Sequence, residues 1–567
     1  MLGHSVYIYE EGDQRLAKER SVQFADQTRR YLSGGISDDE FRSLRLQNGI
    51  YIQRHAPMLR VAIPYGMLSS GQLRKLADIS RRWDRAYGHF DTRESIQFNW
   101  IRLEDAPDVL ADLAAVQMYA SQGITNGIRH FTLDNFSGIA RDEILNPLVW
   151  SELIRQWSIR HAEFAQLPRK FRVAVSGATI DRAAVRAHDI GLEAVRSHEG
   201  LGFRIWVGGD MGRMPTVGTL IRPFLAWSDL LTYLRATLHV YNVHRCKDSG
   251  GTPQLKTLVR DLPPGVFAQQ VEEQWQLIRG GVASLNESHV MSAALRFRWP
   301  KYADLKDVDL PRPPSPKEIR SYSHWQRSNV HGHLMPGYVA VSLSLRAGDV
   351  PAGDITADQM EAVADLADKF GHGQLRISRE RNLILTDVRR SDLYDLWREL
   401  EIIGLSTPNV GSQVGTDDGF AAGRDFESIP LANAIHERID TLDYFHDIGE
   451  IDLSVASNSD LGVHNHTGHI GVVGFEKAGE RWYQVSIGGN QNAGFSKVDP
   501  GSDNVGTVAV RTLIGIPLPE NQIPAVVERL IKIYLELRDS HAERFVDVVD
   551  RVGAERLKRE LASIASA

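Results

Sequence analysis

The sequence predicts an α+β fold that arose by internal duplication. Two observations predict it: the order strand, helix, strand, helix occurs twice along the chain, and an apolar strand that ends in two glycines also occurs twice. A proline-rich segment lies between the copies. With 567 residues, of which 42% are hydrophobic, the chain is long enough for about two to four domains of ordinary size.

The first copy follows a charged N-terminal segment with helical periodicity. This segment is broken at Gly34 and Gly35, after which Ser37 and Glu40 stand at the spacing of a helix-capping box. It predicts a helical arm that packs on a larger body. The first copy then comprises a strand at 59–64, a helix at 70–85, a strand at 95–101 and a helix around Val109 and Leu113.

The second copy repeats this order. It comprises a strand at 337–343, a helix at 356–370, a strand at 382–385 and a helix at 391–403. The strand at 203–207 precedes Gly208 and Gly209, and its counterpart at 483–487 also precedes two glycines. The offsets between the two pairs of segments nearly agree, which supports one duplication along the chain.

The proline-rich run at 311–316 cannot hold a regular helix or a central strand, because proline lacks an amide hydrogen and restrains the residue before it. We place a linker there, and we expect residues 523–564 to be mostly helical and to cap the second lobe. The predicted segments are an N-terminal helical arm (1–50), a first half-domain (51–122), a first lobe (123–310), the linker (311–330), a second half-domain (331–405) and a second lobe (406–567).

Composition excludes several classes of function. The net charge of -7 and the sequence pI near 6.3 argue against a nucleic-acid partner or an anionic membrane surface, so an anion would have to bind at a focused site. No uninterrupted apolar run approaches the length of a membrane span. The first eleven residues lack the basic and apolar pattern of a secretion signal, which predicts a cytoplasmic protein.

Cys246 is the only cysteine of the sequence. A disulfide within the chain is therefore impossible. The same count excludes any zinc or iron-sulfur site that needs two or more cysteines from this chain.

Several basic residues stand at the ends of predicted strands or in the turns beside them, and converging cations of this kind suit a small, multiply charged anion. The alternative is that each is a solvated charge at a strand end, which is the more frequent case for any single residue. The residues are Arg60, Arg93, Arg129, Lys170 and Arg172.

Two weaker patterns also carry two interpretations each. Gly208 and Gly209 could let backbone amides approach an anion, or could serve a tight turn. The histidines His464, His466 and His469 could ligate a metal, or could belong to a polar loop. The sequence alone favours the turn and the loop.

From about residue 51 to about residue 546, the chain resembles the nitrite/sulfite reductase haemoprotein family. No single stretch is specific, but together they are. The stretches are residues 58–66, 87–93 with Gln97 and Phe98, 167–171, 207–209, 356–360 and 468–471. The resemblance implies two ferredoxin-like units, one in each half, and two larger mixed α/β lobes that carry sirohaem and an iron-sulfur cluster.

Members of that family reduce sulfite to sulfide or nitrite to ammonia, using a sirohaem whose iron shares a cysteine sulfur with a four-iron four-sulfur cluster. The resemblance implies that the ligands of the small oxyanion are Arg60, Arg129, Lys170 and Arg172, the last where the family has a lysine. It also implies that Arg93, Gln97, Gly208 and Gly209 contact the sirohaem. The segment at 243–251, where the family has a denser basic run, is diluted by Gly250 and Gly251.

The positions that match the cluster cysteines of the family hold residues without sulfur. They are Gly415 and Ala421, which precede Ser428, and Asn458 and Gly462, which precede His469. A four-iron four-sulfur cluster is therefore not expected, and sirohaem remains a candidate cofactor on its own. Six-electron reduction by this chain alone is not expected either.

The sequence leaves two functions open. One is an oxidoreductase that binds sirohaem without the cluster and receives electrons directly from a donor protein. The other is a non-catalytic paralogue, either a tetrapyrrole-binding protein or a regulatory partner of a complete reductase. Retained cations such as Arg60 favour the first, and the loss of the cluster cysteines favours the second.

Overall fold

We describe the protein from a computed structural model. The structure describes residues 6–9, 11–52, 57–120, 130–161, 171–210, 216–247, 254–305, 314–346, 351–408, 415–416, 428–440, 451, 453–456, 468–477, 480–489, 512–540 and 543–562.

The described residues form both helices and mostly antiparallel sheets, as is typical of an α+β fold. The helices are α1 (Glu11–Leu32), α2 (Asp38–Gln47), α3 (Ser70–Trp83), α4 (Ala106–Ala115), α5 (Pro147–Arg160), α6 (Leu230–Lys247), α7 (Leu255–Asp261), α8 (Val266–Ile278), α9 (Glu287–Ala294), α10 (Ile319–Asn329), α11 (Ala357–Phe370), α12 (Leu393–Ile402), α13 (Ser428–Asp440), α14 (Ile523–Leu537), α15 (Phe545–Val552) and α16 (Ala554–Ala562).

The strands are mostly short. They are β1 (Ile50–Ile52), β2 (Pro57–Val61), β3 (Met67–Ser69), β4 (Tyr87–Phe90), β5 (Ile96–Phe98), β6 (His130–Leu133), β7 (Arg172–Ser176), β8 (Ile190–Ser197), β9 (Gly200–Val207), β10 (Thr219–Ala226), β11 (Val330–Gly332), β12 (Tyr338–Leu343), β13 (Asp354–Thr356), β14 (Gln374–Ile377), β15 (Leu383–Arg389), β16 (Gly415–Thr416), β17 (Leu453–Ala456), β18 (Ile470–Lys477), β19 (Glu480–Ile487) and β20 (Thr512–Pro519).

The chain divides into two compact units, and each unit is discontinuous in sequence. Unit 1 consists of residues 1–170, 286–410 and 421–423. Unit 2 consists of residues 171–285, 411–420 and 424–567. Both predicted half-domains thus fall in unit 1, while the six linear boundaries predicted from sequence remain predictions.

Unit 1 contains two antiparallel five-stranded sheets that exchange a strand. Their orders are β1-β2-β5-β4-β13 and β11-β12-β15-β14-β3. The edge strand β13 of the first sheet comes from the second copy, and β3 of the second sheet comes from the first copy. Each copy therefore needs the other to complete its sheet.

From the start of α3 to the end of β5, the two copies correspond with a constant offset along the sequence. The N-cap residues of α3 and α11 are Ser69 and Thr356, whose side chains form capping boxes with Gln72 and Gln359. Both pairs are 287 positions apart (356 minus 69). Hydrogen bonds repeat with the same offset: the Ser70 amide donates to the Gly373 carbonyl at 2.9 Å, and the Ala357 amide donates to the Ala86 carbonyl at 2.8 Å. The structure therefore confirms the internal duplication.

The core of unit 1 lies between these sheets and the helices that cover them. The apolar faces of α3 and α11 bury residues from Leu73 to Ile79 and from Met360 to Phe370. The arm predicted at the N-terminus forms α1 and α2, and the Ser37–Glu40 capping box is present. Phe24 and Phe41 from the arm are fully buried in the same core.

Unit 2 contains a second duplicated motif. The hairpin of β8 and β9 pairs Ile190 with Val207, and the hairpin of β18 and β19 pairs Ile470 with Ile487. In each copy a parallel strand, β7 or β17, lies next to the hairpin. The predicted C-terminal helices form α14, α15 and α16, which pack on the core of the second copy.

The described helices include none that is both long and apolar enough to cross a membrane. The α+β architecture, with its paired half-domains and lobes, agrees with the fold class that the sequence predicts.

Candidate functional site

The predicted site residues fall into two groups, one in each unit. Arg60, Arg93 and Gln97 lie on or beside β2 and β5 of unit 1. Arg172, Gly208 and Gly209 lie beside β7 and β9 of unit 2. Outside the described residues are Arg129, Lys170, Ala421, Asn458 and Gly462, while Gly415 begins the short strand β16.

Arg60 forms an ion pair that the sequence did not predict. Its Nε atom lies 3.2 Å from Oδ2 of Asp91, and both side chains are mostly buried, with 22% and 10% of their surfaces exposed. The two atoms are not aligned as a hydrogen bond, so the contact is chiefly one of charge. The guanidinium also lies over the Tyr51 ring, 5.5 Å from its centre.

The Asp91 carboxylate accepts several hydrogen bonds within the turn that joins β4 to β5. Its Oδ1 atom accepts hydrogen bonds from the Arg93 amide at 2.9 Å, the Ser95 amide at 3.1 Å and the Ser95 hydroxyl at 2.8 Å. Its Oδ2 atom accepts from Nε2 of Gln97 at 2.8 Å. Because aspartates often bond to amides two residues ahead in turns, the sequence signal at this position is that of an ordinary turn residue.

The environment keeps Asp91 charged. Burial raises the pKa of this carboxyl, but Arg60, the Gln97 amide and the Ser95 hydroxyl outweigh burial and hold the pKa below its ordinary value. The cation and the anion of this pair therefore neutralise each other at neutral pH.

Gln97 is buried, whereas Arg93 is exposed to solvent. Gln97 lies directly across from Arg60 in the pairing of β2 with β5, and it is buried. Its Oε1 atom is buried without a hydrogen-bond partner in the described part of the chain. Arg93 is exposed at the turn, and the described residues include no ion-pair partner for its guanidinium. Arg93 is thus the cation of this group that remains open to a ligand.

Glu94, next to Arg93, is a second carboxyl that the sequence did not single out. It is buried and has a left-handed backbone with φ of 56°. Burial raises the pKa of Glu94 to about 8, although Arg379 and Arg376 act in the opposite direction. This side chain is therefore largely protonated near pH 7.

Arg172 in unit 2 is likewise paired with carboxylates. Its Nε atom lies 3.5 Å from Oδ2 of Asp189, and its Nη2 atom contacts Oδ1 of Asp210. Nζ of Lys256 donates to Oδ2 of the same Asp210 at 2.6 Å. Burial raises the pKa of Asp210, yet Lys256 and Arg172 outweigh it and hold the pKa below its ordinary value. Two cations and two carboxylates thus form a compact, neutral network.

Gly208 and Gly209 are buried where backbone segments approach closely. Gly208 has a left-handed backbone, with φ of 81°, and its amide donates to the Asp189 carbonyl at 2.9 Å. A Cβ atom at Gly209 would overlap the Arg186 carbonyl and lie 2.7 Å from the His188 carbonyl. The left-handed backbone therefore accounts for Gly208 and close packing for Gly209, and their contact with a cofactor remains a prediction.

The described residues include no group of three histidine, cysteine or carboxylate side chains placed to hold a metal ion. His464 and His466 lie outside the described residues, and the His469 ring stacks on Phe545 with 6.3 Å between ring centres. A four-iron four-sulfur cluster needs about four thiolates, and this chain has Cys246 alone. The donor set does not fit such a cluster.

Two family models match the chain. The nitrite/sulfite reductase ferredoxin-like half domain matches residues 51–116 and 343–401, which correspond to the two copies in unit 1. The nitrite and sulphite reductase 4Fe-4S domain matches residues 124–278.

Similar proteins carry the corresponding names. A ferredoxin–nitrite reductase of Synechococcus elongatus is 25% identical over 351 residues, which cover 60% of this chain and 61% of the relative. A sulfite reductase [ferredoxin] of Mycolicibacterium paratuberculosis is 24% identical and matched over 61% of this chain and 56% of its own length. An assimilatory ferredoxin-dependent nitrite reductase of Haloferax mediterranei is 27% identical, with 62% and 59% covered. The match thus spans less than two thirds of each relative.

The fold is also that of a solved structure, the NirA protein of Mycobacterium tuberculosis. The two share a TM-score of 0.67 at 20% identity, and the match covers 93% of this chain and 92% of that one. Both half-domains, the adjoining domain and the whole fold agree with the resemblance found in the sequence. The chain is therefore similar to the nitrite/sulfite reductase family in both half-domains and in the adjoining domain.

Proposed function

We propose that this chain is a nitrite/sulfite reductase family protein that does not reduce sulfite or nitrite by six electrons on its own. The observation that carries this proposal is the donor set, since the sequence has one cysteine and a four-iron four-sulfur cluster is held by about four thiolates. The positions that match the cluster cysteines are Gly415, Ala421, Asn458 and Gly462.

The loss of the cluster affects the route of the electrons. The similar proteins are named as ferredoxin-dependent reductases, and a ferredoxin delivers electrons singly. Without a cluster, this chain lacks a relay between such a donor and a bound oxyanion. It therefore serves as a partner or regulatory subunit of a complete reductase rather than as a stand-alone enzyme.

The test is turnover of the purified chain after co-expression with sirohaem synthesis. Nitrite and sulfite are supplied with a reduced viologen dye, which bypasses the docking of a donor protein, and ammonia and sulfide are measured. We expect no product above the rate of the dye alone, and the same result for Cys246→Ser. Sustained formation of ammonia or sulfide by the parent chain would overturn the proposal.

Binding of a tetrapyrrole without the cluster is a second candidate function, and Arg93 favours it. Sirohaem carries many carboxylates, and the exposed Arg93 guanidinium has no ion-pair partner within the described ranges. Gln97, Gly208 and Gly209 are the other predicted contacts. When bound, sirohaem would supply a redox-active iron.

Absorbance in the Soret region of the co-expressed protein tests this second candidate. We expect a bound tetrapyrrole, with Arg93→Gln lowering its retention about tenfold. Arg85→Gln is the matched control, because Arg85 is an exposed cation of the same half-domain that stacks on Trp100 at 3.4 Å. A colourless parent protein, or equal loss in both variants, would count against a role for Arg93.

A further inference from the structure

The turn that holds Asp91 has a counterpart of the same shape in the second copy. In the first copy the Asp91 amide donates to the Ser95 carbonyl at 2.9 Å, and the Glu94 amide donates to the Asp91 carbonyl at 3.0 Å. In the second copy the Ser378 amide donates to the Asn382 carbonyl at 2.9 Å. The Arg381 amide closes that turn on the Ser378 carbonyl, also at 2.9 Å.

Ser378 therefore stands where the first copy has Asp91. The Ser378 hydroxyl accepts a hydrogen bond from the Asn382 amide at 3.3 Å, just as the Asp91 carboxylate accepts from the Ser95 amide. The turn thus forms with a neutral side chain at this position. Its shape does not explain why the first copy carries a charge.

The cation and the amide beside Asp91 are also missing from the second copy. Ile384, which lies 287 positions after Gln97 (384 minus 97), faces Ser342 across β12 and β15. The same pairing in the first copy joins Gln97 to Arg60. A buried set of three polar groups in one copy is thus replaced by serine, isoleucine and serine in the other.

This difference indicates that Asp91 is coupled to Arg60 rather than to the turn. A mostly buried guanidinium needs an anion, because an unpaired charge in such a place is strongly unfavourable. In a protein that binds an external oxyanion at this arginine, the oxyanion supplies that charge. Here a side chain of the same chain supplies it.

We infer that Asp91 acts as an internal anion, which occupies Arg60 in place of an external nitrite or sulfite. This inference rests on the proposed function, because a chain that does not reduce the oxyanion has no need to keep Arg60 open. Removing the Asp91 charge should therefore create an oxyanion site at Arg60.

The experiment is a calorimetric titration of sodium nitrite and sodium sulfite at constant ionic strength set with chloride. Asp91→Ser copies the residue that the second copy already uses in this turn. We expect it to bind at least one of the two anions about tenfold or more tightly than the parent chain does. Adding Arg60→Gln to Asp91→Ser should abolish the gain.

Asp354→Asn is the matched control. Asp354 is a mostly buried carboxylate of the same sheet that contacts Nδ1 of His89 at 2.7 Å, so its loss changes the net charge equally but leaves Arg60 paired. If Asp91→Ser does not fold, Asp91→Asn preserves the side-chain oxygen that the turn amides use. A folded Asp91 variant that binds no better than Asp354→Asn would overturn the inference. Reductase turnover plays no part in this readout, so the two proposals fail separately.

Discussion

The two strand-turn-strand motifs of unit 1 have the same backbone and differ in charge. The first, from β4 to β5, holds Asp91 beside Arg60, whereas the second, from β14 to β15, holds Ser378 beside a neutral pair. Hydrogen bonds between backbone atoms agree in both within a tenth of an ångström. The repeated backbone pattern therefore sets the fold of this motif without the charged side chains, which are present in the first copy only.

In unit 2, a predicted oxyanion ligand is also paired with carboxylates of the chain. Arg172 also lies between carboxylates, those of Asp189 and Asp210. Both predicted oxyanion ligands that the structure describes are therefore neutralised by side chains of the chain itself. Buried ion pairs add little net stability, because desolvation opposes the attraction, so their presence needs another explanation than stability.

We expect the largest effect when the cation of the first motif is removed and its buried anion is kept. Arg60→Ser leaves Asp91 buried without its cation, and we expect the free energy of unfolding to fall by about 3 kcal/mol. Adding Asp91→Ser and Gln97→Ile copies the second motif and should recover most of that loss. Urea denaturation of the single and triple variants measures both values.

A matched substitution elsewhere in the same sheet shows whether the recovery of stability depends on the pairing of Arg60 with Asp91. Asp354→Asn in the Arg60→Ser background also removes one negative charge but should recover little, since Asp354 contacts His89. Equal recovery by this control would mean that net charge, and not the pairing of Arg60 with Asp91, decides stability here.

The second effect concerns the left-handed residue of each turn, which is Glu94 in the first motif and Arg381 in the second. Burial raises the pKa of Glu94 to about 8 from an ordinary value of 4.5, so the folded chain holds a proton that the unfolded chain releases. This contribution to stability is full below pH 4.5 and is lost as the pH rises through 8. Between pH 6 and pH 8 we expect the parent chain to lose about 2 kcal/mol relative to Glu94→Gln.

Chemical denaturation at both pH values measures this difference. Glu143, whose pKa burial also raises to about 8, is present in both proteins and cancels. Parallel pH profiles for the parent and Glu94→Gln would show that Glu94 is charged in the folded chain.

The smallest effect compares the two capping boxes at the starts of α3 and α11. Ser69→Ala and Thr356→Ala each remove the side-chain oxygen that accepts the amide of Gln72 or Gln359. We expect each substitution to lower the free energy of unfolding by about 1 kcal/mol. A lower midpoint of thermal unfolding measures this loss. Ser69→Ala should show the larger loss, because the Gln72 amide that it leaves unpaired belongs to a buried residue, whereas Gln359 is half-buried. A larger loss at Thr356 would contradict this explanation.

Periodicity predicted most of the regular elements of unit 1. The helices at 70–85 and 356–370 appear as α3 and α11, since their apolar spacing and capping residues are local signals. The fold class and the duplication followed from the order of such elements. The exchange of β3 and β13 could not be predicted, because each is three residues long and pairs with a strand of the other copy.

The candidate site was predicted in part. Arg60 and Arg172 were singled out as cations at strand ends, but their partners were not. Asp91 and Asp189 stand in loop segments beside strands, where an aspartate has an ordinary local role, and Asp210 forms an isolated β-bridge with Thr216. Ion pairs between distant positions depend on sheet register, which single sequences specify poorly. Arg129 and Lys170, outside the described residues, remain predictions.

The proposed function depends most on the absence of an iron-sulfur cluster from this chain. The most direct measurement is the content of iron and acid-labile sulfide in the purified protein after co-expression with sirohaem synthesis. We predict no acid-labile sulfide, and at most about one iron per chain if a sirohaem is bound. About four sulfides and five irons per chain would contradict the claim and would mean that the cluster is held by ligands other than cysteines of this chain.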